Sequence, residues 1–83
     1  MDMYSKFAKT ILLSLLEDNE SSIVQVARKH KIFSYSELVR ARRMLEEKGF
    51  IISEKRGRNR LMKLTEKGIE MAKTLKRADE LIL

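Results

Sequence analysis

Twelve of the eighteen Lys and Arg residues lie between positions 28 and 63, a stretch that holds only four of the twelve acidic residues. Such a concentration suits contact with a polyanion. The whole chain carries +6 at neutral pH with a pI near 9.8, a balance that points first to a nucleic-acid partner. Within the basic stretch, Arg40 and Arg43 are three residues apart. A guanidinium makes two parallel hydrogen bonds to guanine O6 and N7, so either residue suits base readout in a major groove. Ser34 and Ser36 offer hydroxyls for a base edge or a phosphate, and Val39 offers an apolar contact for a thymine methyl. Tyr35 suits aromatic contact with a nucleic acid and simple packing equally. Lys55, Arg56, Arg58, Asn59 and Arg60 crowd around Gly57. Cations on a flexible tip suit phosphate or minor-groove contact, whose affinity falls with salt as counterions are released. Lys29 and Lys31 are weaker phosphate candidates.

Other chemistries find little support. The chain has no cysteine, which removes disulfides, thiolate metal sites and cysteine nucleophiles. His30 is the only histidine and has no second ligand of its kind; it is expected at the end of a helix, where an imidazolium is favoured. The serines fall at expected caps and turns instead of beside a base, and Gly49, Gly57 and Gly68 are too far apart to form a phosphate-binding loop. Catalysis, a cofactor and a metal are therefore not expected. The longest early apolar run, Ile11-Leu12-Leu13, is interrupted by Ser14, and Asp2 with no small-residue cleavage site argues against a signal peptide. The expectation is a soluble, cytoplasmic chain without membrane contact. Eighty-three residues without a linker or repeat give one domain, 1–83.

The elements that must position the cations are legible from periodicity. Tyr4, Phe7, Ala8, Ile11, Leu12 and Leu15 recur at three and four residues, giving an amphipathic helix with Asp2 as its N-cap. Leu13 and Leu16 fall off that stripe and offer a second apolar surface. Ser22 with Gln25 forms a capping box ahead of a second helix over roughly 22–31. Ser34 with Glu37 repeats the device ahead of a third helix, 34–48, with Leu38, Ala41 and Leu45 inside and Gly49 as its stop. On a helical wheel Ser36, Val39, Arg40, Arg43 and Glu47 lie about 100° or more from Leu38, on the solvent side. That face is equally compatible with a merely solvated surface in which Glu46 and Glu47 pair with the arginines. Arg42, nearer the stripe, is expected to pack its stem and pair with an acidic neighbour. Phe50-Ile51-Ile52 and Leu61-Met62-Lys63-Leu64 flank the cationic tip as a β-hairpin. Thr65 then caps a last helix, about 65–83, whose Leu64, Gly68, Met71, Leu75, Ala78 and Ile82 follow a heptad spacing. Met44, Met62 and Met71 are read as core or interface filler.

Two short helices joined by a tight turn, a hairpin and a final helix give a mostly helical α+β plan. Ala27 before the turn, Ser34-Tyr35-Ser36 opening the next helix, Leu45-Glu46-Glu47-Lys48-Gly49-Phe50-Ile51 closing it, and Leu64-Thr65-Glu66-Lys67-Gly68 after the hairpin carry a resemblance. Over roughly residues 22–70 the chain resembles a winged helix-turn-helix of the MarR-like kind. Because it is far shorter than full-length MarR proteins, it looks like the minimal winged-helix regulators of archaea and their viruses. The resemblance implies a dimeric, sequence-specific regulator of transcription that binds double-stranded DNA, with the third helix in the major groove and residues 55–60 as the wing. A repressor acting as a homodimer is the expected form. Leu13, Leu16, Met71, Leu75, Ala78 and Ile82 are the expected dimer interface, since they exceed what one small core needs. The competing readings are a winged-helix protein-interaction module and a sequence-neutral chromatin protein.

Overall fold

The computed structural model describes residues 3–82, so the N-cap expected at Asp2 lies outside the described residues. The elements run α1 (Met3–Asp18), β1 (Glu20–Ser21), α2 (Ile23–His30), α3 (Tyr35–Glu47), β2 (Ile51–Arg56), β3 (Asn59–Leu64) and α4 (Glu66–Ile82). The strands form one antiparallel sheet in the order β1-β3-β2. Helix α1 is central and packs on α2, α3, α4 and the sheet. Its Ala8, Ile11, Leu12 and Leu15 are buried as the periodicity requires, and they meet Val26, Leu38, Ala41, Leu45, Ile51, Met62 and Ala72 in one core. The side chains of Tyr4 and Ile82 lie outside the described set.

Local rules explain most boundaries. Ser22 Oγ accepts from the Gln25 amide (3.2 Å) while the Ser22 amide donates to Gln25 Oε1 (2.8 Å), so the capping box of α2 forms. Helix α3 ends in a Schellman turn: Gly49 has φ +78°, its amide donates to the Glu46 carbonyl, and the Phe50 amide donates to the Leu45 carbonyl. Thr65 Oγ1 accepts from the Gly68 amide (3.1 Å) and caps α4. In the hairpin Arg56 pairs with Asn59, leaving Gly57 and Arg58 as a two-residue loop. The positive φ of Gly57 alone, +60°, fits a II′ turn.

Three expectations change. The capping box at Ser34 and Glu37 does not form: Ser34 has ψ 72° and no side-chain cap bond. The Tyr35 amide donates to the Phe33 carbonyl (3.0 Å), and this tight turn takes Ser34 out of the extended conformation a capping side chain needs. Strand β1 was not expected; it exists because Asn19, at φ +65°, redirects the chain so that Glu20 and Ser21 pair with Lys63 and Met62. On α4 the heptad seam divides. Gly68 and Ala72 are buried and Leu75 packs partly against the core, whereas Met71 and Ala78 are exposed. Small residues at 68 and 72 let α4 lie close against its neighbours, and Lys9 of α1 pairs with Asp79.

Candidate nucleic-acid interface

Helix α3 presents two chemically different sides. Leu38, Ala41 and Leu45 are fully enclosed, and Ser36, Arg40, Arg43 and Glu47 are exposed with Val39 half-buried between them. Since the apolar stripe is pinned against α1, the rotation of α3 is fixed and the two arginines are held on the outer side. Arg42 takes the structural role expected of it. Its guanidinium lies 2.7 Å from Glu46 Oε1, one turn on, and the same oxygen accepts from Ser53 Oγ of β2 at 2.6 Å. Partial burial pushes the Glu46 carboxyl up. The Ser53 hydrogen bond, the Arg42 bond and charge, and the nearby Arg60 charge outweigh it and hold the group below the ordinary carboxylate range. Helix α3 and the hairpin are thus tied by one carboxylate.

Strand register sorts the hairpin cations. Directly paired residues share a face, so Lys55 and Arg60 continue the face that carries Ser53 and Met62, while Arg56 and Asn59 continue the face of Glu54 and Leu61. Arg56 is accordingly turned among acids, 3.4 Å from Glu54 and 3.7 Å from Glu20. Lys63 also reaches Glu20, at 3.6 Å. At the tip, Arg58, Asn59 and Arg60 come together with Tyr35 and Val39 of α3 and Ser22 and Val24 of α2 around a cleft of about 190 Å³. The structure therefore brings the N-terminal half of α3 and the hairpin tip onto one surface, although more than fifteen residues separate them in the chain.

Ser34 and Tyr35 open that surface, both exposed, and the Ser34 hydroxyl makes no capping bond. Lys29 is engaged elsewhere: it lies 2.8 Å from Glu17 and 3.0 Å from Asp18, and those hydrogen bonds raise it while lowering Glu17. Lys31 stays exposed as the left-handed cap of α2. The contribution of α2 to the cleft through Ser22 and Val24 was missed. Its signal was Val24 itself, an apolar residue off the stripe of Ile23, Val26 and Ala27. Of the residues expected between subunits, Met71 and Ala78 are exposed, Leu13 is half-buried, and Leu16 and Leu75 lean on the chain's own core. Among the described residues no group of three or more His, Cys, Asp or Glu side chains could hold a metal ion.

No family model and no curated protein sequence matches the chain. Solved structures do. A variant of ZitR from Lactococcus lactis in its apo form superposes with a TM-score of 0.80 at 29% identity over 95% of this chain and 61% of that one. AF1382 from Archaeoglobus fulgidus gives 0.82 at 24% identity over 96% and 91%. The MarR family transcriptional regulator SPO1453 from Silicibacter pomeroyi gives 0.76 at 20% identity over 90% and 54%. The chain spans between about half and three fifths of the length of the ZitR chains it matches. Its fold is the winged helix-turn-helix, similar to that of MarR-like proteins, with β2 and β3 as the wing.

Proposed function

We propose that the chain is a sequence-specific regulator of transcription that binds double-stranded DNA as a homodimer and represses by occluding a promoter. The observation that carries this reading is the cleft in which Tyr35 and Val39 of α3 meet Arg58, Asn59 and Arg60 of the wing, on a helix whose Arg40 and Arg43 are exposed. In this reading α3 enters the major groove. Arg40 and Arg43 read guanines, Ser34 and Ser36 hold a phosphate or base edge, and Val39 and Tyr35 meet apolar base edges. Residues 55–60 lie on the backbone or in the minor groove. The likeness to a transcriptional regulator supports it. No helix of the described residues is long and apolar enough to cross a membrane, and no catalytic step is assigned to the chain.

The test compares a duplex selected from a randomised pool with random duplex at matched salt. A regulator discriminates by roughly a thousandfold or more. Arg40→Ala or Arg43→Ala should lose about 1–3 kcal/mol on the selected duplex and much less on random DNA. Equal affinity of the unmutated protein for both duplexes would favour a sequence-neutral chromatin protein, and no affinity for either would leave a protein-interaction module.

The wing is expected to act through phosphates. Arg58→Ala and Arg60→Ala should each lower the slope of log affinity against log salt by about 1 on any duplex. Arg56→Ala should change the slope less, because Glu20 and Glu54 already engage that guanidinium. Titration of binding against salt separates the three variants, and a larger change for Arg56→Ala than for Arg58→Ala would reverse this assignment.

A further inference from the structure

One large apolar side chain is left outside both the core and the reading surface. Phe33, in the turn between α2 and α3, is 96% exposed, the most exposed of the large hydrophobic residues described. Its position follows from the backbone. Lys31 adopts φ +54°, a left-handed conformation that is costly for a residue with a Cβ, and both its amide and that of Ile32 return to the Ala27 carbonyl. This sharp stop turns Ile32 onto the core and leaves Phe33 in water, beside the start of α3. The ring stands between two hollows of about 350 and 440 Å³, and Lys31 lines both. Arg28 edges one and Lys6 the other. While Lys29 is held by acids, no hydrogen bond or ion pair engages the side chain of Arg28 or Lys31 among the described residues.

An exposed ring ringed by uncompensated cations fits an occupant that is both apolar and anionic. A second copy of the same patch is disfavoured, because two such surfaces would bring like charges together. Phe33 directly precedes Ser34 and Tyr35, which open the reading helix. We infer that Phe33 is a DNA-contacting residue, its ring packing on a thymine methyl at the edge of the half-site while Arg28 and Lys31 hold the flanking phosphates. This inference rests on the DNA-binding reading above and adds a specificity element outside the helix and the wing. The chemistry is that of apolar base-edge contact: a thymine presents a 5-methyl group in the major groove, and uracil does not.

The experiment uses the full chain, a duplex selected from a randomised pool, and the same duplex with deoxyuridine replacing thymidine only at the outer edge of the half-site, outside the bases that α3 faces. Phe33→Ala should weaken binding to the thymine duplex by about tenfold, roughly the loss for one mismatched base pair. The unmutated protein should lose about as much on the uracil duplex, and Phe33→Ala should lose nothing more there. The salt slope should stay unchanged for Phe33→Ala and fall by about 1 for Arg28→Ala and for Lys31→Ala. Since the ring touches water on nearly all sides, the variant should melt with the unmutated protein. Binding of Phe33→Ala within about twofold of the unmutated protein, or an equal loss on both duplexes, overturns the inference and leaves the ridge to an acidic protein partner. Failure of the unmutated protein to select any duplex overturns the DNA reading and this inference together, whereas a selected duplex indifferent to Phe33 overturns this inference alone.

Discussion

Gly68→Ala is expected to destabilise the fold by more than about 3 kcal/mol, enough to lower the melting temperature by roughly 12–24 °C in a domain of this size. A Cβ at position 68 would stand 1.9 Å from the Phe50 carbonyl oxygen, 2.9 Å from its carbon and 3.1 Å from Leu64 Cδ2. The obstacle is backbone, and that carbonyl is itself fixed by the Thr65 amide at 3.1 Å. Helix α4 would have to lift away from the end of α3, opening the core around Ala72. A natural domain of 83 residues has on the order of 4–12 kcal/mol in total, so the loss takes a large share of it. Gly57→Ala is the internal control. It meets nothing within 4 Å, and its φ of +60° should cost only about 1–2 kcal/mol. Thermal melts of the two variants side by side decide the point: a Gly68→Ala protein melting within a few degrees of the unmutated one would show that α4 yields easily.

That glycine also explains which parts of the molecule can be read from its sequence. Two of the runs that carry the family resemblance, Leu45–Ile51 and Leu64–Gly68, are in contact with each other. Thr65 Oγ1 donates to the Gly49 carbonyl (2.6 Å), Lys67 Nζ donates to the Lys48 carbonyl (2.7 Å), and the same ammonium sits 4.6 Å from the centre of the Phe50 ring. The recognisable motif is thus a latch between the end of α3 and the start of α4. This latch marks the fold and does not include Arg40 or Arg43. Those were legible by a different route, because Leu38, Ala41 and Leu45 set the rotation of α3 and leave Arg40 and Arg43 outside.

What stayed hidden depends on distant partners or on competition between local rules. Strand β1 is two residues whose pairing partners are more than forty positions away. Arg56 reads as one more tip cation until Glu20, on that same strand, is placed beside it. Ser34 followed by Glu37 reads as a capping box, and only the turn closed by Phe33 and Tyr35 shows why it fails; Glu37 Oε2 is left buried without a hydrogen-bond partner. Phe33 followed no periodic pattern, so nothing in the spacing of apolar residues drew attention to it.

Met71→Lys is expected to convert the proposed homodimer to monomers while leaving the fold intact. Helix α4 turns Gly68, Ala72 and Leu75 inward, and this leaves Met71 37% exposed and Leu81 81% exposed. Between α1, α3 and α4 lies a groove of about 710 Å³, with Leu12, Met44, Phe50, Met71 and Leu75 among its lining residues. An apolar opening of this kind in an 83-residue chain favours burial against a second copy. Leu75 also leans on its own core, so a charge there would confound dissociation with unfolding, whereas Met71 stands at the rim. An ammonium enclosed at that position, on a groove already lined by Lys6, Lys9 and Lys48, costs several kcal/mol, sufficient to separate subunits at micromolar concentration. Sedimentation should therefore give twice 9.7 kDa for the unmutated protein and 9.7 kDa for the variant, with unchanged helical content. On DNA the variant should keep its affinity for a single half-site and lose the added affinity for two half-sites about 34 Å apart, since a two-fold dimer sets that spacing. An unmutated protein that sediments as one 9.7 kDa species would remove the dimer from this reading, and the two-half-site operator would go with it.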